Sequence, residues 1–246
     1  MRIIRYNKVT RIMEFSSFID IDRYLLSCFN GSDSLFWDGV VLTLTSGYLW
    51  IPFYLSLFYL ILKNNETMSQ IFLTVACAIL CVVFADIMAD YVMKPLVGRF
   101  RPGNDPMFKY TVDVVHDLRG MDYSFFSAHA ANTMSIAVFF SLLVKHRVFN
   151  LFLIFWSVIN GWTRLYLGLH YPSDVACGFI WGIIVGIGVY FLFKRMFARI
   201  CPKQNYVSGH YTSSGYSLPD INMVMTVMTL TCCFAIIYGV ISISNT

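Results

Sequence analysis

Six apolar stretches, each of about twenty residues, restrict the fold of this 246-residue chain more than any other feature. They are roughly residues 36–62, 70–92, 124–144, 149–168, 175–193 and 221–243. Within a bilayer every backbone N–H and C=O must be bonded inside the protein, and an apolar run of this length satisfies that requirement as a helix. The sequence therefore predicts an all-α polytopic membrane bundle with about six transmembrane helices.

The regions on either side of these stretches suggest three parts. Residues 1–34 form an N-terminal segment, in which residues 15–30 mix apolar side chains with Asp20, Asp22 and Arg23 and predict an amphipathic helix at the membrane interface. Residues 35–200 form the membrane domain. Residues 201–246 add a loop and a further transmembrane helix.

Composition excludes several classes of partner and cofactor. The net charge is +4 and the chain has no long basic run, so nucleic acid is not an expected partner. None of the seven cysteines belongs to a CxxC motif or to a Cys/His metal spacing. We expect no metal and no cofactor, and the expected partners are the membrane and a lipid.

The order of the apolar stretches brings three charged segments to one face. Lys145-His146-Arg147 joins the third and fourth stretches and is too short to cross a bilayer. The start of the third stretch, the end of the fourth and the loop after the second therefore share a face. That face receives the segments 94–101, 127–129 and 164–174. Charges beside apolar spans are costly, which favours a functional role.

Lys94, Arg101 and Arg164 are the candidate phosphate ligands. Arginine can bind two phosphate oxygens in parallel, and lysine acts as a point charge. Ser127 opens the third stretch, where helix amides and its hydroxyl can bind a phosphate oxygen. The alternatives are cations that reach the lipid headgroups and a serine that only caps the helix. Arg99 is assigned to the headgroups.

His170, Asp174 and His129 are the candidate catalytic residues. Asp174 follows His170 by four residues, within one turn if Pro172 opens the fifth stretch. A carboxylate bonded to one ring nitrogen would orient the other as a nucleophile, and His129 could protonate the leaving oxygen. The alternative is an interfacial histidine beside an aspartate that caps a helix.

Together the three segments resemble the type 2 phosphatidic acid phosphatase (PAP2) superfamily, whose active site is similar to that of vanadium haloperoxidases. Its pattern is Lys-x6-Arg-Pro, then Pro-Ser-Gly-His, then Ser-Arg-x5-His-x3-Asp. The first element is complete here, from Lys94 to Pro102. The second reads Phe126-Ser-Ala-His129 and the third begins with Thr163 instead of serine, so the departures affect loop geometry more than chemistry.

The resemblance implies a two-step, metal-independent phosphatase with a haloperoxidase-like helical core. His170 would form a phosphohistidine, His129 would act as acid and then as base, and the cations would replace magnesium. Bacterial relatives of this kind act on undecaprenyl diphosphate, phosphatidylglycerophosphate or lipid A, and the motifs do not separate these. A lipid phosphotransferase, or a non-catalytic lipid-binding or transport protein with a decayed site, are the alternatives.

Basic residues bear on which side of the bacterial inner membrane the site faces. Apart from the three phosphate ligands, the site face carries eight and the opposite face seven. A start at Met13 would remove four from the site face, leaving four against seven. Because basic residues concentrate on the cytoplasmic side, we expect the site to face the periplasm.

Overall fold

The computed structural model describes residues 18–32, 34–121, 123–200 and 209–243, and the regular elements there are helices, apart from one isolated bridge between Tyr211 and Ser217. The α-helices are α1 (Phe18–Phe29), α2 (Leu35–Thr45), α3 (Ile51–Lys63), α4 (Met68–Asp86), α5 (Lys94–Val97), α6 (Ala128–Val144), α7 (Arg147–Tyr166), α8 (Pro172–Ile200) and α9 (Leu218–Ile243). The predicted all-α membrane fold is confirmed. The basic residues before Met13, and Lys203, lie outside the described residues.

Four helical stretches are long and apolar enough to cross a bilayer, namely Met68–Asn104, Arg147–Tyr166, Pro172–Ile200 and Leu218–Ile241. They correspond to the second, fourth, fifth and sixth predicted spans. The first of them is not one regular helix, because α4 continues through a π-helical stretch, Ile87–Met93, into α5. That continuation carries the chain directly into Lys94.

The first and third predicted spans differ from long straight helices. The first is a bent pair, α2 and the segment Gly47–Lys63, which meet at 63° across Ser46; the second segment is a 3₁₀ turn, Gly47–Trp50, that continues into α3. Ser46 is extended there, and Pro52 in the first turn of α3 has no N–H to continue a helix. The third, α6, has 17 residues, and its length of about 25 Å is slightly less than a typical hydrocarbon core.

Helices α6 and α8 pack backbone to backbone. Three glycines of α8, spaced four residues apart, face α6 (Gly178, Gly182 and Gly186). A Cβ on any of them would lie 2.6–2.7 Å from a backbone carbonyl oxygen of α6 or of its N-cap, Ser127. Small residues at this spacing let membrane helices approach closely. The contact brings the N-terminus of α6 to the start of α8, where the Ser127 amide donates to the Asp174 carbonyl (3.1 Å).

Helix α9 closes the bundle against the bent pair. A Cβ on Gly239 would lie 2.6 Å from the backbone nitrogen of Val40, so α9 and α2 cross in backbone contact. At the other end, the Asn64 amide donates to Asp220 (3.1 Å), which ties the end of α3 to the start of α9.

The short helix α1 lies within the region predicted to be an amphipathic interfacial helix. It packs on α7 and α8, with Asp22 and Leu26 buried. Phe18, Leu25 and Phe29 are exposed. The helix is thus amphipathic, but its buried face contains a carboxylate.

Candidate active site

The structure brings the three charged segments together at one end of the bundle. Nη1 of Arg101 lies 3.4 Å from Nε2 of His170. Two further cations belong to this group: Arg164, in the last turn of α7, and Lys94. The charges of Arg164, Lys94 and Arg101 all lie close enough to His129 to interact electrostatically with its ring. His129, in the first turn of α6, is exposed and is therefore accessible to an incoming molecule.

His170 lies in the loop between α7 and α8 and is buried. Its Nδ1 is 2.8 Å from the carbonyl oxygen of Ser124. Because a carbonyl oxygen can only accept a hydrogen bond, Nδ1 carries the proton and donates. The lone pair of the neutral ring is then on Nε2, the nitrogen that faces Arg101.

Asp174 supports His170 differently from what the sequence suggested. Its Oδ2 is 3.8 Å from Nδ1 of His170, so the expected hydrogen bond between carboxylate and ring is not formed. Asp174 accepts hydrogen bonds from the Ser124 hydroxyl and from the Tyr171 amide (2.9 Å). It therefore orients the histidine through Ser124, the residue whose carbonyl the ring contacts, and through its charge.

The surroundings favour the neutral form of His170. Burial lowers the pKa of this imidazole below its ordinary value; the carboxylate of Asp174 opposes the shift, and the positive charges of Arg101 and Arg164 add to it. The net pKa is lowered, so Nε2 keeps its lone pair at neutral pH. A neutral histidine with a fixed tautomer is the form required of a nucleophile.

We call Lys94, Arg101 and Arg164 the cationic cluster. Lys94 pairs with Asp90, one turn earlier (2.5 Å), and this aspartate is partly exposed. Nε of Arg101 donates to the carbonyl of Met121 (2.8 Å), and its guanidinium lies directly against Gly120, where a Cβ would come within 2.7 Å of it. The loop before α6 thus positions Arg101 with backbone atoms.

Arg164 is the least satisfied member of the cationic cluster. Arg164 is only 6% exposed to solvent. Its Nη2 donates one long hydrogen bond to the carbonyl oxygen of Thr45 (3.4 Å). Its buried Nε has no hydrogen-bond partner among the described residues. Buried donors are normally paired, so this guanidinium is suited to bind an anion that is not part of the protein.

Ser127 caps α6, as expected for a serine at a helix N-terminus. Its buried hydroxyl oxygen accepts from the Ala130 amide (3.5 Å). The hydroxyl proton remains able to donate to a phosphate oxygen. Capping and phosphate binding are therefore compatible.

Arg99 does not reach toward the headgroups, and this assignment is corrected. Its Nη1 donates to Asp174 and to Ser173 (both 2.8 Å), its Nη2 donates to Asp22 (2.5 Å), and its Cζ lies 3.9 Å from the ring centre of Tyr171. We call Asp22, Arg99, Ser124, Ser173 and Asp174 the support network. The sequence feature that could have indicated this network is the aspartate within the amphipathic helix, because a buried carboxylate needs a cationic partner.

No group of three or more His, Cys, Asp or Glu side chains that could hold a metal ion occurs among the described residues. The polar groups at this end of the bundle are instead the cationic cluster, two imidazoles and the support network. Such a set can bind a phosphate and exchange protons with it.

Comparison with known proteins agrees with this chemistry. Residues 71–198 match the model of the PAP2 superfamily. A lipid A 4'-phosphatase of Bacteroides thetaiotaomicron is 40% identical over 190 residues, which cover 77% of this chain and 83% of that protein. A lipid A 4'-phosphatase of Porphyromonas gingivalis is 26% identical over 220 residues, covering 87% and 91%.

A more distant relative is the undecaprenyl-diphosphatase BcrC of Bacillus subtilis, 31% identical over 88 residues, which cover 35% of this chain and 42% of that protein. No solved structure gives a significant match. The family match runs from α4 to α8, a region whose helices and loops carry the cationic cluster and both histidines, and it leaves α1, α2, α3 and α9 outside. The chain belongs to the PAP2 superfamily.

Proposed function

We propose that this membrane enzyme hydrolyses the 4'-phosphate ester of lipid A. The two lipid A 4'-phosphatases align with most of the chain, whereas the undecaprenyl-diphosphatase aligns with about a third of it. The observation that carries the proposal is the position of Nε2 of His170, which faces the guanidinium of Arg101 and is influenced by the charge of Arg164.

In the first step, Nε2 of His170 attacks phosphorus in line with the leaving oxygen. The P–O bond to the sugar breaks, and His129, which holds a proton when the phosphate dianion offsets the charge of the cationic cluster, gives that proton to the leaving oxygen. The cationic cluster stabilises the charge on the three equatorial oxygens, the main catalytic contribution expected for phosphoryl transfer. Throughout the step Nδ1 of His170 continues to donate to the Ser124 carbonyl.

In the second step, water attacks the phosphohistidine. Neutral His129 accepts a proton from the water, the P–N bond breaks, and inorganic phosphate leaves. The imidazolium of His129 is restored, so the two steps return the enzyme to its starting state. The exposed position of His129 allows both the leaving sugar and the water to reach it.

The test is phosphate release from bis-phosphorylated lipid A by detergent-purified protein in EDTA, with mass spectrometry to locate the phosphate that is lost. Undecaprenyl diphosphate is assayed in parallel. We expect loss of the 4'-phosphate, and trapping of a phosphohistidine at residue 170 after acid-free quenching. Replacement His170→Gln should reduce the rate by at least about 10⁴-fold.

The matched control is His146→Gln, since His146 caps α7 at the far end of the bundle. It should retain activity. If undecaprenyl diphosphate were hydrolysed faster than lipid A, it would be the preferred substrate and the proposal would be wrong. Transfer of phosphate to an added alcohol instead of water would identify a phosphotransferase. A folded protein with no activity on either lipid would contradict the proposal.

We also infer that the site faces the periplasm. With Met13 as the start, the sequence carries four basic residues on the site face outside the cationic cluster (Arg23, Arg99, Lys109 and Arg119) and seven on the predicted opposite face (Lys63, Lys145, Arg147, Lys194, Arg195, Arg199 and Lys203); the four basic residues before Met13 would make the count eight against seven. The inference takes the shorter count, and it is supported by the concentration of basic residues on the cytoplasmic side of membrane proteins. A membrane-impermeant thiol reagent should label Met107→Cys but not Lys145→Cys in intact spheroplasts of a cysteine-free variant. The reverse pattern would refute this orientation.

A further inference from the structure

The residue that sets α1 apart from an ordinary interfacial helix is Asp22. It is 3% exposed, although α1 carries several exposed apolar side chains. Its carboxylate accepts from Arg99 (2.5 Å), from the Ser173 amide (2.9 Å) and from the Ser173 hydroxyl (2.5 Å). A buried carboxylate is costly unless it is paired in this way. All these partners belong to the loop after α5 or to the first turn of α8, so Asp22 joins α1 to the site.

Arg99 transmits this contact toward the nucleophile. One side of its guanidinium binds Asp22 and the other binds Asp174 (2.8 Å). Asp174 in turn accepts from the hydroxyl of Ser124, whose carbonyl accepts from Nδ1 of His170. A continuous series of hydrogen bonds therefore runs from α1 to the imidazole ring.

The next residue of α1 makes a second contact with the same loop. Arg23 donates to Asp105 (2.8 Å), and the Tyr171 hydroxyl donates to the same carboxylate oxygen (2.9 Å). Arg99 lies over the face of the Tyr171 ring. Hence Tyr171, the neighbour of His170, is held at its hydroxyl through Arg23 and at its ring through Asp22 and Arg99.

These polar contacts are the main attachment of α1. Leu26 is its one buried apolar residue among those described, whereas Phe18, Ile19, Leu25 and Phe29 are exposed. An amphipathic helix with this pattern rests its apolar side in the lipid interface. The helix thus contacts lipid on one side and the loop of the nucleophile on the other.

We propose that α1 positions the active site, with Asp22 as a positioning residue that acts through Arg99 on Asp174 and His170. The inference rests on the proposed function, because it assigns a role in that same reaction to a helix outside the family match. Asp22 touches neither the cationic cluster nor the reacting nitrogen in the contacts described. Its effect should therefore fall on turnover and leave substrate binding nearly unchanged.

A double-mutant cycle tests this route. Asp22→Asn, Arg99→Gln and the double variant are compared with wild type for kcat and KM on lipid A, after thermal unfolding shows that each is folded. We expect Asp22→Asn to lower kcat about 10- to 50-fold with KM within about 2-fold, and the double variant to be no slower than Arg99→Gln alone. Asp22→Glu, which keeps the charge, should recover most of the lost kcat.

Hydrogen–deuterium exchange gives a readout that does not need activity. Asp22→Asn should speed exchange of the amides at 171–174, while Glu66→Gln, an acid-to-amide change in an exposed turn at the other end, should not. Additive losses in the cycle, a change confined to KM, or unchanged exchange at 171–174 would overturn the inference. A wild type that leaves lipid A intact, or an active His170→Gln, would instead overturn the proposed function, and the exchange result would still decide on α1.

Discussion

Arg99, which is half-buried, and Arg164, which is buried, are two arginines of the same site that are bonded in opposite ways. Arg99 contacts two carboxylates, a hydroxyl and an aromatic face, all supplied by the protein. Arg164 has one long bond to a backbone carbonyl and a buried Nε without a partner among the described residues. The protein neutralises the first and leaves the second incomplete.

The difference indicates which cation supports the site and which receives the substrate. A guanidinium that already binds carboxylates has few donors left for a phosphate, and breaking its pairs leaves buried charges alone. A preorganised guanidinium without a counter-charge gains most when the negatively charged transition state of phosphoryl transfer forms beside it. The bonding partners of each arginine, more than its place in a motif, therefore assign its role in this PAP2-type lipid phosphatase.

The largest expected effect comes from removing the incomplete cation. Arg164→Met should lower kcat/KM about 10³-fold or more, because a transition-state contact is lost. The melting temperature should stay the same or rise, since an unpaired buried charge is removed. Phosphate release and thermal unfolding in detergent measure the two effects, with Arg195→Met at the far end as control. A strongly destabilised Arg164→Met variant would contradict the proposed difference between Arg164 and Arg99.

Removing the paired cation should lower stability in addition to its effect on turnover. Arg99→Met leaves Asp22 and Asp174 buried without their shared counter-charge, and the expected cost is about 3–5 kcal/mol in the free energy of unfolding. Denaturant titration of the purified variant measures it. If Arg99 only reached the headgroups, the titration curve would match that of wild type.

The packing of α6 on α8 sets the distance between His129 and the support network, because His129 is in the first turn of α6 and Asp174 is in the first turn of α8. Gly182→Ala places a Cβ 2.6 Å from the Ala131 carbonyl and should cost about 1–3 kcal/mol. Gly188, on the same helix, has open space around it, so Gly188→Ala should be neutral or slightly stabilising. Equal unfolding curves for the two variants would contradict the close approach.

Lys94 is intermediate between Arg99 and Arg164, since it has one carboxylate partner, Asp90, and that partner is partly exposed. Asp90 competes with an incoming phosphate for the same ammonium group. Asp90→Asn should therefore strengthen inhibition by inorganic phosphate about 2- to 5-fold with little change in unfolding temperature. Weaker inhibition would show that Asp90 helps to place Lys94 instead.

The smallest effect is spectroscopic. In ¹⁵N spectra of histidine-labelled protein, the signal lost in His170→Gln should show a ring protonated at Nδ1 and free at Nε2. Because the pKa of His170 is lowered, the neutral ring should persist to a pH below 6.5, the ordinary value, and become charged only in more acidic solution. An Nε2-protonated ring, or a charged ring at neutral pH, would refute the assigned tautomer.

Much of this site was predictable from the order of the apolar stretches. A turn as short as Lys145 to Arg147 forces the start of α6 and the end of α7 to one face, and the structure indeed places His129 and Arg164 together. Helix α8 begins at Pro172, as expected from its fixed φ angle. These results follow from local rules of helix length and termination.

The support network was not predictable in the same way. Asp22 and Arg99 are separated by 77 residues, and each alone looks like an interfacial charge. The oxygen that orients His170 belongs to the backbone of Ser124, a group that every residue has. The crossing of α9 over α2 is likewise a contact between distant parts of the chain. Sequence patterns report local geometry, while these features arise from tertiary contacts.

The backbone crossing of Gly39 and Gly239 has a consequence for biosynthesis. Helix α2 is among the first helices to leave the ribosome, yet the surface that accepts it is on α9, and α3 to α8 must be made in between. During that interval α9 is not yet present to cover the crossing. The protein therefore completes its assembly by docking a late helix on an early one, and any change at Gly239 acts on a step that comes after the catalytic helices have been inserted.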